Sequence, residues 1–309
     1  MRRSAFVFFE VKMIEAHEGI LNWFAREARS FPWRYDNPEP YHVLISEYML
    51  QQTQTTRIAE RFPEFISQFP DIEHLGKATN QEIILAWQGL GYNNRALRLR
   101  DCARQIITLH KGVIPHDYDA LIALPGIGPY TASAILSFAY GEDVPVIDVN
   151  IYRIYARVLG NSDPIDANKS MITSFAESAF PKGHSSAWHQ AMMDIGARWC
   201  KANQALCTDC PLQTHCKSAF NVQMITKKKE KKEPSHRNIP NRIWRGKTVE
   251  HLRNCSSFSE KKEILLSIIL SDHANKEDTQ WFEDIIIPAL VRDRLIEYDI
   301  ESDIISIAS

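Results

Sequence analysis

Leu124-Pro125-Gly126-Ile127-Gly128-Pro129-Tyr130-Thr131-Ala132 is the stretch on which the reading of this chain turns. Two glycines flanking Ile127 let the backbone bend tightly with its amides uncovered. Pro129 suits the first position of a following helix, where its missing N–H costs nothing. The product is a helix N-terminus that offers amides to an anion. Two helices joined in this way grip a nucleic-acid phosphate without reading a base. A plain packing corner between helices is the alternative.

Outward from that turn, apolar residues recur at helical spacing. Helices are expected over 14–27, 41–54, 55–69, 80–88, 95–110, 117–124, 129–140, 149–159, 168–180 and 186–199. Connections are short and carry Gly or Pro, and period-2 alternation is almost absent before residue 290. This describes an all-α region ending near Cys216. Residues 219–240 read as a basic linker, with phosphate contact as the alternative. Beyond it, helices over 239–253, 259–270 and 276–291 and two short alternating pieces across 295–307 suggest a winged-helix-like module at 241–309.

With 309 residues, 44% apolar and 24% charged, the chain has ordinary globular composition, which excludes disorder as its overall state. No apolar run approaches the roughly 18 residues of a membrane span. Residues 1–12 lack the apolar core and cleavage site of a signal peptide, so a cytoplasmic, nucleoid-associated protein is expected. Met13, opening an amphipathic helix, is an alternative start. No Gly-x-Gly-x-x-Gly or Walker loop occurs. The formal charge of −2 hides an asymmetry. Residues 227–247 hold nine Lys/Arg against two Glu, a balance of +7, and residues 260–309 hold five against twelve, a balance of −7.

Three further clusters carry chemistry. In Val144-Pro145-Val146-Ile147-Asp148-Val149-Asn150, an apolar run delivers Asp148 to a helix start, where it caps the helix or faces a reaction. In Ser46-Glu47-Tyr48-Met49-Leu50-Gln51-Gln52-Thr53, Glu47 sits in a largely apolar helix. An acid there is exposed or working, and burial would raise its pKa toward that of a general acid. Cys200, Cys207, Cys210 and Cys216 fall within 17 residues, a metal-site pattern rather than a disulfide framework. By spacing, zinc and an iron–sulfur centre are both open. Cys102 and Cys255 read most simply as buried thiols.

These pieces, in this order, resemble the helix-hairpin-helix (HhH-GPD) DNA glycosylase superfamily over about residues 14–218. Within it the chain resembles the A/G-specific adenine glycosylases (MutY family), through Pro32-Trp33-Arg34, 46–54, Gly89-Leu90-Gly91-Tyr92 and 190–197. The resemblance implies a two-lobed fold, a six-helix barrel about 36–148 and a cluster domain from 13–35 and 149–218, together spanning 13–218. It implies a [4Fe–4S] cluster on the four clustered cysteines.

It also assigns roles. Glu47 becomes the catalytic acid and Asp148 the catalytic carboxylate, with Tyr130 and Asn150 beside it. Trp33, Arg34 and Gln190 line the base pocket. Gln51, Gln52, Thr53 and Tyr92 enter the duplex, while Leu124, Gly126, Gly128 and Lys201 meet its backbone. The implied activity is monofunctional: release of adenine mispaired with guanine or 8-oxoguanine, leaving an abasic site, by a monomer on double-stranded DNA. Tyr130 replaces the amine nucleophile of the strand-cutting relatives, so little or no lyase activity is expected.

A thymine or uracil mismatch glycosylase is the alternative enzyme, since Tyr130 and Phe31-Pro32-Trp33-Arg34 occur there too. A non-catalytic damage-binding relative would lack one carboxylate, and both are present. Three departures stand out: Val149 for a glycine, Asn93 for a second tyrosine, and about 70 C-terminal residues of different character where the family carries a longer Nudix-like domain. That tail is expected to add DNA affinity or to dock a protein partner.

Overall fold

The structure, a computed structural model, describes residues 2–161, 167–222 and 233–309, with backbone alone for residues 2–12. The chain divides into two compact units, each discontinuous in sequence. Unit 1 comprises residues 1–44, 116–123 and 127–228; unit 2 comprises 45–115, 124–126 and 229–309.

Unit 1 is built on α1 (Arg2–Glu27), α8 (Pro129–Tyr140), α9 (Val149–Val158), α10 (Lys169–Ser178) and α11 (Ser185–Arg198). Their apolar faces bury Tyr155, Phe175, Trp188 and Met192. Each such side chain contributes on the order of 1.5–3 kcal/mol through the water it sheds. The Trp188 Nε1–H donates to the Tyr155 hydroxyl at 3.0 Å, so two polar tips in this core satisfy each other. The short α7 (Tyr118–Ile122) is capped by the Asp117 carboxylate, which accepts from the Ala120 amide.

In the first part of unit 2 lie α3 (Thr55–Gln68), α4 (Ile72–Lys77), α5 (Asn80–Ala86) and α6 (Asn94–His110). Helix α2 (Pro40–Leu50) enters this unit at Ile45. Helix α4 is absent from the expected set; at six residues it is too short to display a period. Gly76 lets it pack tightly on α6, since a Cβ there would lie 2.4 Å from Ile107.

The C-terminal residues follow the order α12 (Asn241–Asn254), β3 (Ser259–Lys261), α13 (Lys262–Leu270), α14 (Lys276–Trp281), α15 (Ile287–Arg292), β4 (Ile296–Asp299) and β5 (Ile304–Ile307). The strands form an antiparallel sheet ordered β3-β5-β4, completing a winged-helix-like module. A π-helical segment, Phe282–Ile286, joins α14 to α15. Pro288 lacks the N–H that would continue the α pattern there.

Three expectations change. The helix expected over 259–270 opens as strand, because polar Ser259–Lys261 pair with β5. Strand is therefore not confined to the region after residue 290. Part of the expected linker is ordered: β1 (Ser235–His236) and β2 (Ile239–Pro240) form a hairpin turning at Arg237 and Asn238, both at positive φ. Its His236 and Arg237 side chains hold Asp278 at 2.7–2.9 Å. Residues 223–232 of that linker lie outside the described residues. The first helix starts at Arg2 and runs through Met13. The module falls in the same compact unit as residues 45–115.

Candidate active site

The glycine turn forms as its sequence dictates. Gly128 caps α8 and Pro129 occupies its first turn. Gly126 has φ +81°, and a Cβ there would sit 2.8 Å from the Tyr48 hydroxyl oxygen, so both conformation and space demand glycine. That hydroxyl donates to the Pro125 carbonyl, and Gln51 Nε2 donates to the Gly126 carbonyl at 3.4 Å. Leu124 is buried, and Tyr130 is half-buried in the first turn of α8.

Glu47 lies on α2 between Ser46 and Tyr48, at 5% exposure. Helix α2 stops at Leu50, short of the expected 54, because a buried arginine takes its end. Arg95 Nη1 donates to the carbonyls of Tyr48 (2.9 Å), Met49 (3.1 Å) and Gln51. Its Nη2 donates to Thr53 Oγ1 (2.8 Å) and to the carbonyls of Leu90 (2.9 Å) and Gly91 (3.0 Å). One guanidinium thus satisfies helix-end carbonyls and ties the 51–53 loop to the 89–92 loop. Burial pushes it down to about 10, still charged at neutral pH. Gln52 (φ 60°) and Tyr92 (φ 46°) hold left-handed conformations within these loops, and Tyr92 is 45% exposed. Sequence reasoning named the loop residues and missed Arg95, whose acceptors are backbone atoms that leave no trace in a motif.

In unit 1, Asp148 caps α9. Its Oδ1 accepts from the Ile151 amide at 2.7 Å and its Oδ2 from Asn150 Nδ2 at 2.6 Å. Burial pushes this carboxyl above the ordinary carboxylate range, against the pull of those two donors and of nearby Arg153. Arg153 continues the chain, donating to Asn150 Oδ1 (2.8 Å) and to the carbonyls of Gly196 (3.1 Å) and Cys200 (2.6 Å). Gly196 is required here, since a Cβ would approach Asn150 Cβ to 2.7 Å. Val149, beside the carboxylate, is 78% exposed.

Trp33 is buried and stacks on Phe31, with centroids 4.9 Å apart. Arg34 Nη1 bonds buried Asp194 at 2.8 Å, and Arg29 Nε reaches the same carboxylate at 2.8 Å. The 32–34 stretch is thereby fastened to α11. Gln190, half-buried on α11, donates to Ser186 Oγ at 3.0 Å. Its neighbour His189 is fully buried, donates from Nδ1 to the Ser185 carbonyl at 2.7 Å, and is pushed down to about 4 by burial.

Cys200, Cys207, Cys210 and Cys216 line one pocket together with Arg157 and the apolar Ile154, Val158 and Trp199. Burial holds the Cys210 thiol up at about 12 and Cys216 at about 11. Arg157 Nη1 lies 3.2 Å from Cys200 Sγ and donates to the carbonyl of exposed Lys201 at 2.9 Å. Of the two remaining cysteines, Cys102 is buried and Cys255 half-buried.

Comparison with known proteins decides the family. The HhH-GPD superfamily of base excision DNA repair proteins matches residues 45–181. An adenine DNA glycosylase of Mycolicibacterium smegmatis is 31% identical over 275 residues, covering 88% of this chain and 91% of that one. The chain belongs to the adenine DNA glycosylase (MutY) family. Its members are DNA N-glycosylases, hydrolases of base excision repair, and the chain shares that activity class. The Mycobacterium tuberculosis adenine DNA glycosylase is 35% identical over 195 residues, 62% of this chain and 64% of that one. The human adenine DNA glycosylase is 32% identical over 231 residues, 71% of this chain and 42% of that one. This chain therefore spans under two thirds of the Mycobacterium tuberculosis relative and under half of the human one. Among solved structures, a thermostable thymine-DNA glycosylase superposes with a TM-score of 0.63 at 27% identity, over 68% of this chain and 97% of that one. An endonuclease III in complex with DNA shares the fold, with a TM-score of 0.59 at 21% identity. Among the described residues, no helix is long and apolar enough to cross a membrane.

Proposed function

We propose that the chain removes adenine mispaired with guanine or 8-oxoguanine from double-stranded DNA and leaves an abasic site. One observation carries the chemistry: Asp148 is a half-buried carboxyl whose two oxygens accept from donors on its own helix turn, and those donors favour its anionic form. Such a group stabilises the positive charge that develops on the sugar as the base departs. Glu47, a carboxyl almost wholly removed from water, supplies the proton. It donates to N7 of adenine, the C1′–N9 bond breaks with its electron pair leaving on the base, and water adds at C1′, its released proton returning to the Glu47 carboxylate. Tyr130 offers a phenol and no amine, so no Schiff base forms and the strand stays intact. Gln51, Gln52, Thr53 and Tyr92 fill the space left by the extruded nucleotide. Leu124, Gly126 and Gly128 present the amides of the glycine turn to a phosphate. Trp33, Arg34 and Gln190 border the base.

The cysteine pocket fits a [4Fe–4S] cluster. The four sulfurs line a single pocket whose wall is almost wholly apolar. A dry wall and the cation of Arg157 suit an anionic thiolate centre. Cys200, Cys207, Cys210 and Cys216 would hold it; its Fe–S bonds would pin the loop that carries Lys201.

The test is single-turnover base release from duplexes carrying adenine opposite guanine or 8-oxoguanine, beside thymine and uracil opposite guanine. Adenine release supports the reading. Pyrimidine release alone would replace it with a mismatch thymine or uracil glycosylase.

A further inference from the structure

Arg253 projects from α12 and is 8% exposed. Its Nε and Nη2 donate to the Ile84 carbonyl at 3.1 and 2.8 Å. Nη2 also donates to Asn93 Oδ1 at 2.9 Å, and Nη1 pairs with Glu250 at 3.0 Å. Glu250 accepts in turn from Gln88 Nε2 at 2.8 Å. Ile84 lies in the last turn of α5, where carbonyls lack partners within the helix. Asn93 immediately precedes α6 and is buried, so its amide oxygen needs a donor. Between these two anchors run Gly89, Gly91 and Tyr92, all at positive φ. One buried cation from the C-terminal module therefore fastens both ends of the loop that presents Tyr92, while Arg95 fastens its middle at Leu90 and Gly91. A left-handed tyrosine persists only where its surroundings hold it.

We propose that Arg253 is a positioning residue for base extrusion: through Ile84 and Asn93, the C-terminal module sets the 87–92 loop in the geometry that inserts Tyr92 into the duplex. This rests on the reading of Tyr92 as an inserting residue. The module then serves the reaction without lying on DNA, which agrees with the −7 balance of residues 260–309. It also gives Asn93 a purpose: a short amide acceptor stands where the incoming guanidinium needs one.

The test uses the full cluster-loaded protein and its Asn93→Ala, Arg253→Met, doubly substituted and Tyr92→Ala variants. The probe is a duplex with 2-aminopurine beside an adenine opposite 8-oxoguanine, read by fluorescence on extrusion and by single-turnover release. Each of the Asn93 and Arg253 single variants is expected to lower extrusion and release about tenfold. Affinity for undamaged duplex and its salt slope should stay as in the parent, and the double variant should lose no more than the weaker single. Loss of melting temperature with unchanged extrusion, or additive losses in the double variant, overturns the proposal. Asn93→Ala leaves Arg253 its bonds to Ile84 and Glu250, so it decides the matter if Arg253→Met does not fold. Normal extrusion by Tyr92→Ala removes the underlying reading. Impaired Tyr92→Ala beside normal Asn93→Ala removes the positioning role alone.

Discussion

At Asp148 one carboxylate starts a helix and, in the proposed reaction, stabilises a sugar cation. The two roles share the Ile151 amide and Asn150 as donors, so they can be separated by pH. Only the ionised form stabilises positive charge, and burial raises the carboxyl, so activity should fall on acidification at a pH above the ordinary carboxylate value. Asn150→Ala removes a donor that favours the anion; the acid limb of the single-turnover profile should then move to still higher pH. An unmoved limb would assign it to another group. Asp148→Asn and Glu47→Gln should each reduce release by about a hundred- to ten-thousand-fold, with duplex affinity within a few-fold in gel-shift titration. Retained turnover in either variant would exclude that carboxyl from the chemistry. His189 gives a second pH signature. Its folded value of about 4 lies below the ordinary 6.5, so the unfolded chain binds the extra proton. Stability is therefore full above 6.5 and declines as pH falls toward 4. His189→Met should flatten that decline in denaturant midpoints.

At the scale of elements, the helices were legible because a 3.6-residue period survives in the sequence wherever one face is buried. Helix α8 lies at the expected 129–140 for a further reason: its glycine–proline start and Gly141 stop are both local signals. The short strands were not legible. Ser259–Lys261 is polar throughout and becomes a strand only because β5 lies beside it. Nor were the arginines legible. Arg95 and Arg253 bond carbonyls up to 47 and 169 residues away, and carbonyls are the same in every residue. Glu47 and Asp148 could be singled out because each is an acid in apolar sequence, but the Asn150–Arg153–Cys200 chain behind Asp148 appears only in three dimensions. Two substitutions probe this level. Arg95→Met strands the carbonyls that end α2 and should cost at least about 3 kcal/mol in denaturant unfolding. Gly196→Ala forces a Cβ against Asn150 and should cost about 1–3 kcal/mol, with a parallel loss of base release.

At the scale of the whole molecule, charge is segregated. The balance of +7 over residues 227–247 precedes the acidic module. Replacing Lys227, Lys228, Lys229, Lys231 and Lys232 by Gln should weaken duplex binding and reduce its salt slope by about one for each phosphate no longer neutralised. An unchanged slope would show that this segment stays off DNA. The interleaving of the two units has a temporal consequence. Residues 45–115 leave the ribosome long before residues 229–309, yet both belong to unit 2. The Ile84 carbonyl and the Asn93 amide must wait, unbonded, for an arginine translated some 160 residues later. The nascent chain thus carries an unfinished unit 2 while residues 127–228 of unit 1 are made, and chaperone dependence during synthesis should centre on that interval.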